Sequence, residues 1–343
     1  MKELSYSPKI FNAAIIGCGA IHSIHADALM SCSNIKLSAV VDIDSGKARE
    51  SAQRYNCKYY TGFDDILKDD CIDTVHICTP HYLHAGMAIA AMEHGKHVLV
   101  EKPMAITVAD ARRMIDVSKT TGKRLGVCFQ NRYNTTSVKI KEIIESGNYG
   151  KVLGARAFVT WFRDEDYYTR SGWRGTWSKE GGGVLINQAI HTLDLLQWFL
   201  GDISKLKAKV DTTLLKNVIE VEDTAQASIT FRNGAAALFY ATNCYCTNSP
   251  IIIEIVLEAA VLRLEDNLVI KYANGSSEVC EELDKSTGIK AYWGSSHKAL
   301  INEFYKELGE GFPFAIDGIQ GIKALEIINA IYKSDRTGEY VEF

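Results

Sequence analysis

The run Gly17-Cys18-Gly19-Ala20-Ile21-His22 follows a short apolar stretch and leads into a helical one. Missing side chains at such a turn let the backbone approach a pyrophosphate, and the N–H groups of the helix start favour that anion. Gly17, Gly19, Ala20 and Ile21 are therefore candidates to cradle a dinucleotide. His22 stands where the usual fingerprint has its third glycine, so helix and strand must pack differently there. About 20 residues on, the next apolar run ends in Asp42, placed to accept hydrogen bonds from a ribose 2′-hydroxyl. A carboxylate repels a 2′-phosphate, and the next residue is Ile43 instead of an arginine, so the pattern predicts NAD and makes NADP the weaker ligand. The alternative is a doubly wound domain with an ordinary turn at this place.

Glu101-Lys102-Pro103 closes a further apolar run. Open parallel sheets bind ligands at the carboxyl ends of their strands, so this triplet is placed to face a cleft. Proline forces a turn, and a lysine there can donate to a substrate hydroxyl and shifts its pKa readily when desolvated. A solvated surface lysine is the plainer alternative. A third cluster begins at Gly181-Gly182-Gly183. From Val184 to Leu200 the pattern predicts one helix, apolar almost all round and therefore buried. Asn187 and His191 are four apart and Asp194 follows three later, which makes one polar stripe. Buried polar groups need partners, so the stripe satisfies itself in the core or lines a cavity.

The elements that must hold these clusters are legible as periodicity. The first ~125 residues alternate short apolar runs with amphipathic stretches, which is the signature of a parallel sheet with crossover helices. Strands are expected at Ala13–Ile16, Leu37–Val41, Thr74–Cys78, His97–Val100 and Leu125–Phe129. Beyond residue 130 the segments lengthen and alternate: Lys151–Phe162, Lys205–Leu215, Val221–Phe231, Ala235–Cys244, Ile251–Glu258 and Ala260–Leu264. Asn233-Gly234 is a hairpin signal, Asp266-Asn267 reads as another turn, and helices close the chain near His297–Leu308 and Asp317–Ser334. The expected fold is α/β: a doubly wound parallel sheet over residues 1–128, then an α+β domain with an open-faced, mostly antiparallel sheet over 129–343.

Composition narrows the function classes. The chain has 343 residues, 47% hydrophobic and 23% charged, with a formal net charge of −4. Nothing basic invites nucleic acid or an anionic membrane. No apolar run approaches the ~18 residues of a membrane span. The nine cysteines are scattered without a C-x-x-C pair, which predicts reduced thiols in a cytoplasmic protein. The start lacks the apolar core of a signal peptide. His81 and His84 are spaced as metal ligands, but no carboxylate or thiolate cluster joins them, so no metal is expected.

In this order the clusters resemble the Gfo/Idh/MocA family, named for glucose–fructose oxidoreductase and inositol dehydrogenase. The matching text is Ile16 through Gly19, Asp42, Cys78-Thr79-Pro80-His81 with His84, Gly95 through Pro103, Gln130-Asn131-Arg132-Tyr133, and Gly181 through His191 and Asp194. Gly294 with His297 and Tyr332-Lys333-Ser334 match late in the chain. The resemblance implies a Rossmann domain, a C-terminal α/β domain, and homodimers or homotetramers built on its sheet. It implies hydride transfer between nicotinamide and a sugar, sugar derivative or cyclic polyol. Lys102 then matches the catalytic lysine and His191 the catalytic histidine. Thr79, Pro80 and His84 match positions near the cofactor, and Glu101 matches the acid beside its nicotinamide end. Many members carry aspartate where this chain has Asn187, which cannot take a proton. Some members acting on sugar nucleotides are similar in carrying asparagine there. Candidates to touch substrate, besides Asn187 and His191, are Arg132, Tyr133, Arg163, Tyr167, Tyr168, Trp173 and Arg174, since aromatic faces stack on sugar rings and arginines suit hydroxyl or acidic groups. Two other readings are a redox-assisted glycosidase holding NAD and a dinucleotide-sensing regulator. The second should lack Lys102 or His191, and both are present.

Overall fold

Strands buried on both faces must be apolar throughout, and the short runs of the N-terminal region meet that demand. The computed structural model describes residues 9–283 and 296–343; the family match at Gly294 lies outside them. Strands β1 (Phe11–Ile16), β2 (Ile35–Val41), β3 (Lys58–Tyr60), β4 (Thr74–Ile77), β5 (His97–Val100) and β6 (Leu125–Val127) pair in parallel in the order β3-β2-β1-β4-β5-β6. Helices α1 (His22–Met30), α2 (Ser45–Tyr55), α3 (Phe63–Leu67), α4 (His81–Glu93) and α5 (Val108–Thr121) alternate with them. Strand order reverses beside β1, which opens the crevice where such sheets bind ligands. The pattern did not announce β3, an edge strand of Lys-Tyr-Tyr with no buried residue. The expected strand at Leu125–Phe129 stops at Val127.

The second sheet is built from β7 (Val152–Thr160), β8 (Ile203–Asp211), β9 (Thr224–Phe231), β10 (Ala236–Thr242), β11 (Ile252–Leu257), β12 (Ala260–Glu265), β13 (Asn267–Tyr272), β14 (Ser277–Cys280) and β15 (Val341–Glu342). All its pairings are antiparallel except that of β7 with β10. Gly234 makes the β9–β10 hairpin at φ +92°, and Asp266 turns β12 into β13 at φ +57°. Along β10, Ala237, Phe239 and Ala241 are buried while Leu238 is 62% exposed, so the sheet keeps one face open. The remaining helices are α6 (Thr135–Ser146), α7 (Glu165–Thr169), α8 (Val184–Asn187), α9 (Ile190–Leu200), α10 (His297–Glu310) and α11 (Gly318–Thr337).

The chain divides into two compact units. The first runs to Ala105, takes Ala109–Cys128 and recovers His297–Gly321; the second holds Ile106–Val108, Phe129–Ser296 and Ile322–Phe343. The sequence boundary at residue 128/129 did not include that return. Its cause is long-range packing: Phe304 and Phe314 close on Gly126, and Val127 N–H donates to Ile316 carbonyl at 2.9 Å, continuing the edge of β6.

The single helix expected from Val184 to Leu200 is two helices, a correction with a visible reason. Ala189 N–H donates to the Val184 carbonyl at 2.8 Å, a five-residue step that breaks the helical ladder. Gln188 is held there from outside: its amide donates to the Tyr167 hydroxyl at 3.0 Å and accepts from Asn243 at 3.1 Å. The preceding glycines are explained by close packing. A Cβ on Gly183 would lie 1.8 Å from the Glu222 carbonyl oxygen. Glu222 in turn caps α8, accepting from Gly183 N–H and Leu185 N–H at 3.0 Å and from the Tyr332 hydroxyl at 3.0 Å. Burial pushes its carboxyl up to about 7, with those bonds opposing. The folded chain therefore keeps this proton where the unfolded chain has lost it, and stability from this group falls as pH rises from about 4.5 to 7. Glu222→Gln does not titrate. Urea unfolding across that window should move the variant-minus-native stability in the variant's favour by on the order of 3 kcal/mol. A difference that stays constant with pH contradicts this assignment.

Candidate functional site

In the first unit the predicted residues converge on the carboxyl ends of β1, β2, β4 and β5. Gly17 sits at φ +99°, and a Cβ there would lie 2.7 Å from the Cys78 carbonyl oxygen, so only glycine fits. Nothing lies within 4 Å of a Cβ built on Gly19, which leaves room for a ligand to reach the backbone. Ala20 and Ile21 lead into α1, which has no side-chain cap and no acidic residue in its first turn. Its N-terminal N–H groups suit an anion. Asp42 braces this turn: Oδ2 accepts from Cys18 N–H and Oδ1 from Asp44 N–H, both at 2.8 Å. Each carboxylate oxygen retains a lone pair for a ribose hydroxyl. Beside it Ile43 is 95% exposed, an apolar surface suited to a flat ring. These residues fit a dinucleotide.

Thr79 and Pro80 lead into α4 at the end of β4. His84 is buried, with Nδ1 2.7 Å from the Pro103 carbonyl and Nε2 2.8 Å from the Thr79 carbonyl. The ring lies between the carbonyls of two strand-end loops, and its neutral form donates to one of them at a time. Burial lowers its pKa, while the two carbonyls oppose that. Lys102 is half-buried at the end of β5. Glu101, expected beside the cofactor, has both oxygens engaged by the protein: Oε1 takes His25 Nε2 at 2.9 Å, and Oε2 accepts from Lys102 N–H at 3.2 Å. His297 Nε2 stands 3.6 Å from Oε1. Burial alone would raise this carboxyl, but the hydrogen bond from His25 and the nearby His297 hold it well below the usual range.

In the second unit the break after α8 separates the expected stripe. Asn187 and His191 are half-buried, while Asp194 is buried and turned to Arg132. His191 meets the edge of Phe129 with ring centroids 5.7 Å apart. Asn187 donates to Glu180 Oε1 at 2.6 Å and to the Tyr167 hydroxyl at 3.3 Å. Arg132, expected to touch substrate, is 5% exposed, and its Nε and Nη2 fork onto Asp194 at 2.8 and 2.6 Å. Burial raises Asp194 and the guanidinium offsets part of that. Tyr133 shares the short turn Gln130–Tyr133 with Arg132 and is half-buried. Arg163 is likewise buried, 6% exposed and donating to the Phe162 carbonyl and to Asn248. It lies over the rings of Trp161 and Tyr167. Arg174 lies 4.4 Å from the Tyr167 centroid and 4.8 Å from that of Trp173. Tyr168 is buried against Asn243.

Sequence reasoning missed Glu180, Glu222, His25, His76 and Tyr305. Only His25 carried a signal, since it follows His22 by one helical turn. Among the described residues the nine cysteines are unpaired, and no helix is long and apolar enough to cross a membrane.

Residues 11–129 match the profile of an oxidoreductase family with an NAD-binding Rossmann fold, and residues 137–263 match the GFO/IDH/MocA C-terminal domain. Levoglucosan dehydrogenase of Pseudarthrobacter phenanthrenivorans is 31% identical over 336 residues, covering 86% of each chain. Inositol 2-dehydrogenase of Salmonella typhimurium is 36% identical over 145 residues, 41% of this chain and 43% of that protein. The WlbA dehydrogenase of Bordetella pertussis, solved with NADH and UDP-GlcNAcA, superposes with a TM-score of 0.85 at 28% identity, covering 98% of this chain and 99% of that one. The chain belongs to the Gfo/Idh/MocA oxidoreductase family, and its N-terminal region is that family's NAD-binding Rossmann fold. Matches to an oxidoreductase of Bacillus subtilis and to the inositol 2-dehydrogenase span 64% and 43% of those proteins' lengths.

Removing one partner of a buried ion pair strands the other charge, at a cost of about 3–5 kcal/mol. Arg132→Ala should lose stability of that size in chemical denaturation. A loss below about 1 kcal/mol, as for an exposed arginine, contradicts the pairing with Asp194.

Proposed function

We propose that this chain moves hydride between NAD(H) and the secondary alcohol or ketone carbon of a sugar, sugar derivative or cyclic polyol. The observation that carries the reading is the set of groups at the strand ends around the switch point. They are an anion cradle at Gly17–Ile21, a ribose acid at Asp42 and a lysine at Lys102. Family membership and relatives named as levoglucosan and inositol dehydrogenases support the substrate class. Bound NAD(H) supplies the hydride acceptor or donor.

The chain's own residues handle the proton. When the carbinol carbon gives up hydride its hydroxyl proton must leave, and neutral His191 is suited to take it, since imidazole titrates at ~6.5. Lys102 donates to the same oxygen and stabilises its developing negative charge. In reduction the roles reverse, and protonated His191 or Lys102 donates. Asn187 cannot take a proton; it orients the substrate through hydrogen bonds. Trp173 and Arg174, with Tyr133, are assigned to sugar contacts, while Arg132 and Arg163 support the wall. Residues 1–128 carry the cofactor role and 129–343 the substrate and assembly roles. The nine unpaired thiols suit a reducing, cytoplasmic setting.

We further propose a homodimer or homotetramer built on the open sheet face. Leu238 is 62% exposed there, and next to it the cross-strand row Tyr240–Phe158–Ile252 of β10, β7 and β11 is half-buried. Arg156 and Glu254, paired across β7 and β11 at 2.9 Å, add a charged ladder.

Lys102→Ala and His191→Ala should each retain NADH binding by fluorescence titration and lose ~10²–10⁴ of turnover in an absorbance assay over a sugar panel. Near-normal turnover in either variant removes that residue from the mechanism, and tighter binding of NADPH than NADH overturns the cofactor preference. Leu238→Asp should lower the mass seen by light scattering toward that of a single chain; an oligomer of unchanged mass places the interface elsewhere.

A further inference from the structure

The first unit contains a line of buried polar groups that the proposed chemistry does not use. Glu101 Oε1 lies 2.9 Å from His25 Nε2, and His25 Nδ1 lies 2.8 Å from His76 Nδ1. His76 Nε2 lies 2.9 Å from the Tyr305 hydroxyl, which lies 2.6 Å from the Thr74 hydroxyl. His25, His76 and Thr74 are fully buried and Tyr305 is 1% exposed, so each group must find its partner within this line.

With Glu101 ionised and both imidazoles neutral, the premise of the proposal, counting protons sets the direction of every bond. An ionised carboxylate only accepts, so the hydrogen lies on His25 Nε2. A neutral imidazole has one N–H, so His25 Nδ1 is bare and accepts from His76 Nδ1–H. His76 Nε2 is then bare and accepts the Tyr305 O–H. The Tyr305 oxygen, its proton committed, accepts from Thr74 O–H. The count closes with one donor and one acceptor at each join, and all four bonds point toward Glu101. Reversing any one requires reversing its neighbours.

We infer that Thr74, Tyr305, His76 and His25 form a one-way hydrogen-bond chain that holds Glu101 as an oriented anion, making His25, His76 and Tyr305 positioning residues for Lys102. The link is direct, because Glu101 Oε2 accepts the backbone N–H of Lys102. The positioning role rests on the assignment of Lys102 under the proposed function; the chain itself does not. The groups facing Glu101 are His25 from α1, His297 from α10, and the buried thiols of Cys78 and Cys128 at neighbouring strand ends. His25, Glu101 and His297 also bring ligand atoms within 4.8 Å of one another, as a metal site would. Two ligands on a tetrahedral zinc, each about 2.1 Å from the ion, sit about 3.4 Å apart. The 2.9 Å from His25 to Glu101 is a hydrogen bond instead.

The test is nitrogen NMR on the full chain with ¹⁵N-labelled histidine at neutral pH. His25 should appear as the Nε2–H tautomer and His76 as the Nδ1–H tautomer, two opposite forms in contact. Tyr305→Phe removes the donor to His76 and should release His76 into a tautomer mixture, with kcat down about tenfold and NADH affinity unchanged. Thr74→Val removes only the last donor and should keep both tautomers, which separates the chain's direction from general damage. A doubly protonated His25, equal tautomers, or a stoichiometric metal in the purified protein that shifts the His25 nitrogens overturns the chain. Native kcat in Tyr305→Phe overturns the positioning role. A native protein with no turnover on any substrate refutes the proposed activity, while the tautomers still decide the chain.

Discussion

A carboxylate buried at the end of a strand must have its lone pairs answered from inside the protein, and Glu101 imposes that condition on the first unit. The answer comes from His25 on α1, with His297 of α10 close by. Helix α1 is also the helix that follows the glycine turn, so one rigid element presents N–H groups to an anion at its start and a histidine to Glu101 further along. The dinucleotide cradle and the lysine turn are therefore not independent. A shift of α1 that opened Gly17–Ile21 would draw His25 from Glu101, and with it the carboxylate that accepts from Lys102 N–H.

The second unit follows the same rule with three other acids. Glu222 is answered by the first N–H groups of α8, Glu180 by Asn187 and by Gly175 N–H at 2.5 Å, and Asp194 by the fork of Arg132. The donors differ: backbone N–H groups and a hydroxyl for Glu222, a side-chain amide and a backbone N–H for Glu180, and a guanidinium for Asp194. Together they pin both ends of α8 and the middle of α9, the helix that carries His191. The local helix break is affordable because Gln188 is tied to Tyr167 and Asn243. The helix pair that carries His191 is thus held by buried polar groups at both ends of α8 and in the middle of α9.

What the sequence disclosed follows from how local each signal is. The parallel strands were legible because burial on both faces demands an unbroken apolar run, and the ligand positions because such sheets bind at one end. Strand β3 was invisible because nothing in Lys58-Tyr59-Tyr60 is buried. The break between α8 and α9 has no glycine or proline at Gln188-Ala189 to mark it; it is made by partners 21 and 55 residues away. The pairing of Arg132 with Asp194 was not legible, because the two lie 62 residues apart and an isolated arginine carries no sign of being paired. The buried line from Glu101 to Thr74 was hidden for the same reason, since its members come from β4, the turn after β5, α1 and α10.

Position 187 shows how such distant partners decide chemistry. The Asn187 amide donates to Glu180 Oε1 at 2.6 Å, and Glu180 is fully buried. An aspartate at 187 would set two carboxylates against each other at that distance, and one would have to hold a proton. Asparagine at 187 and glutamate at 180 therefore read as one coupled choice. Negative charge stands behind the position rather than at it, and the amide nitrogen that meets it is committed to that contact. In the proposed reaction this leaves the proton to His191 and Lys102, because an amide can orient a hydroxyl but cannot relay its hydrogen.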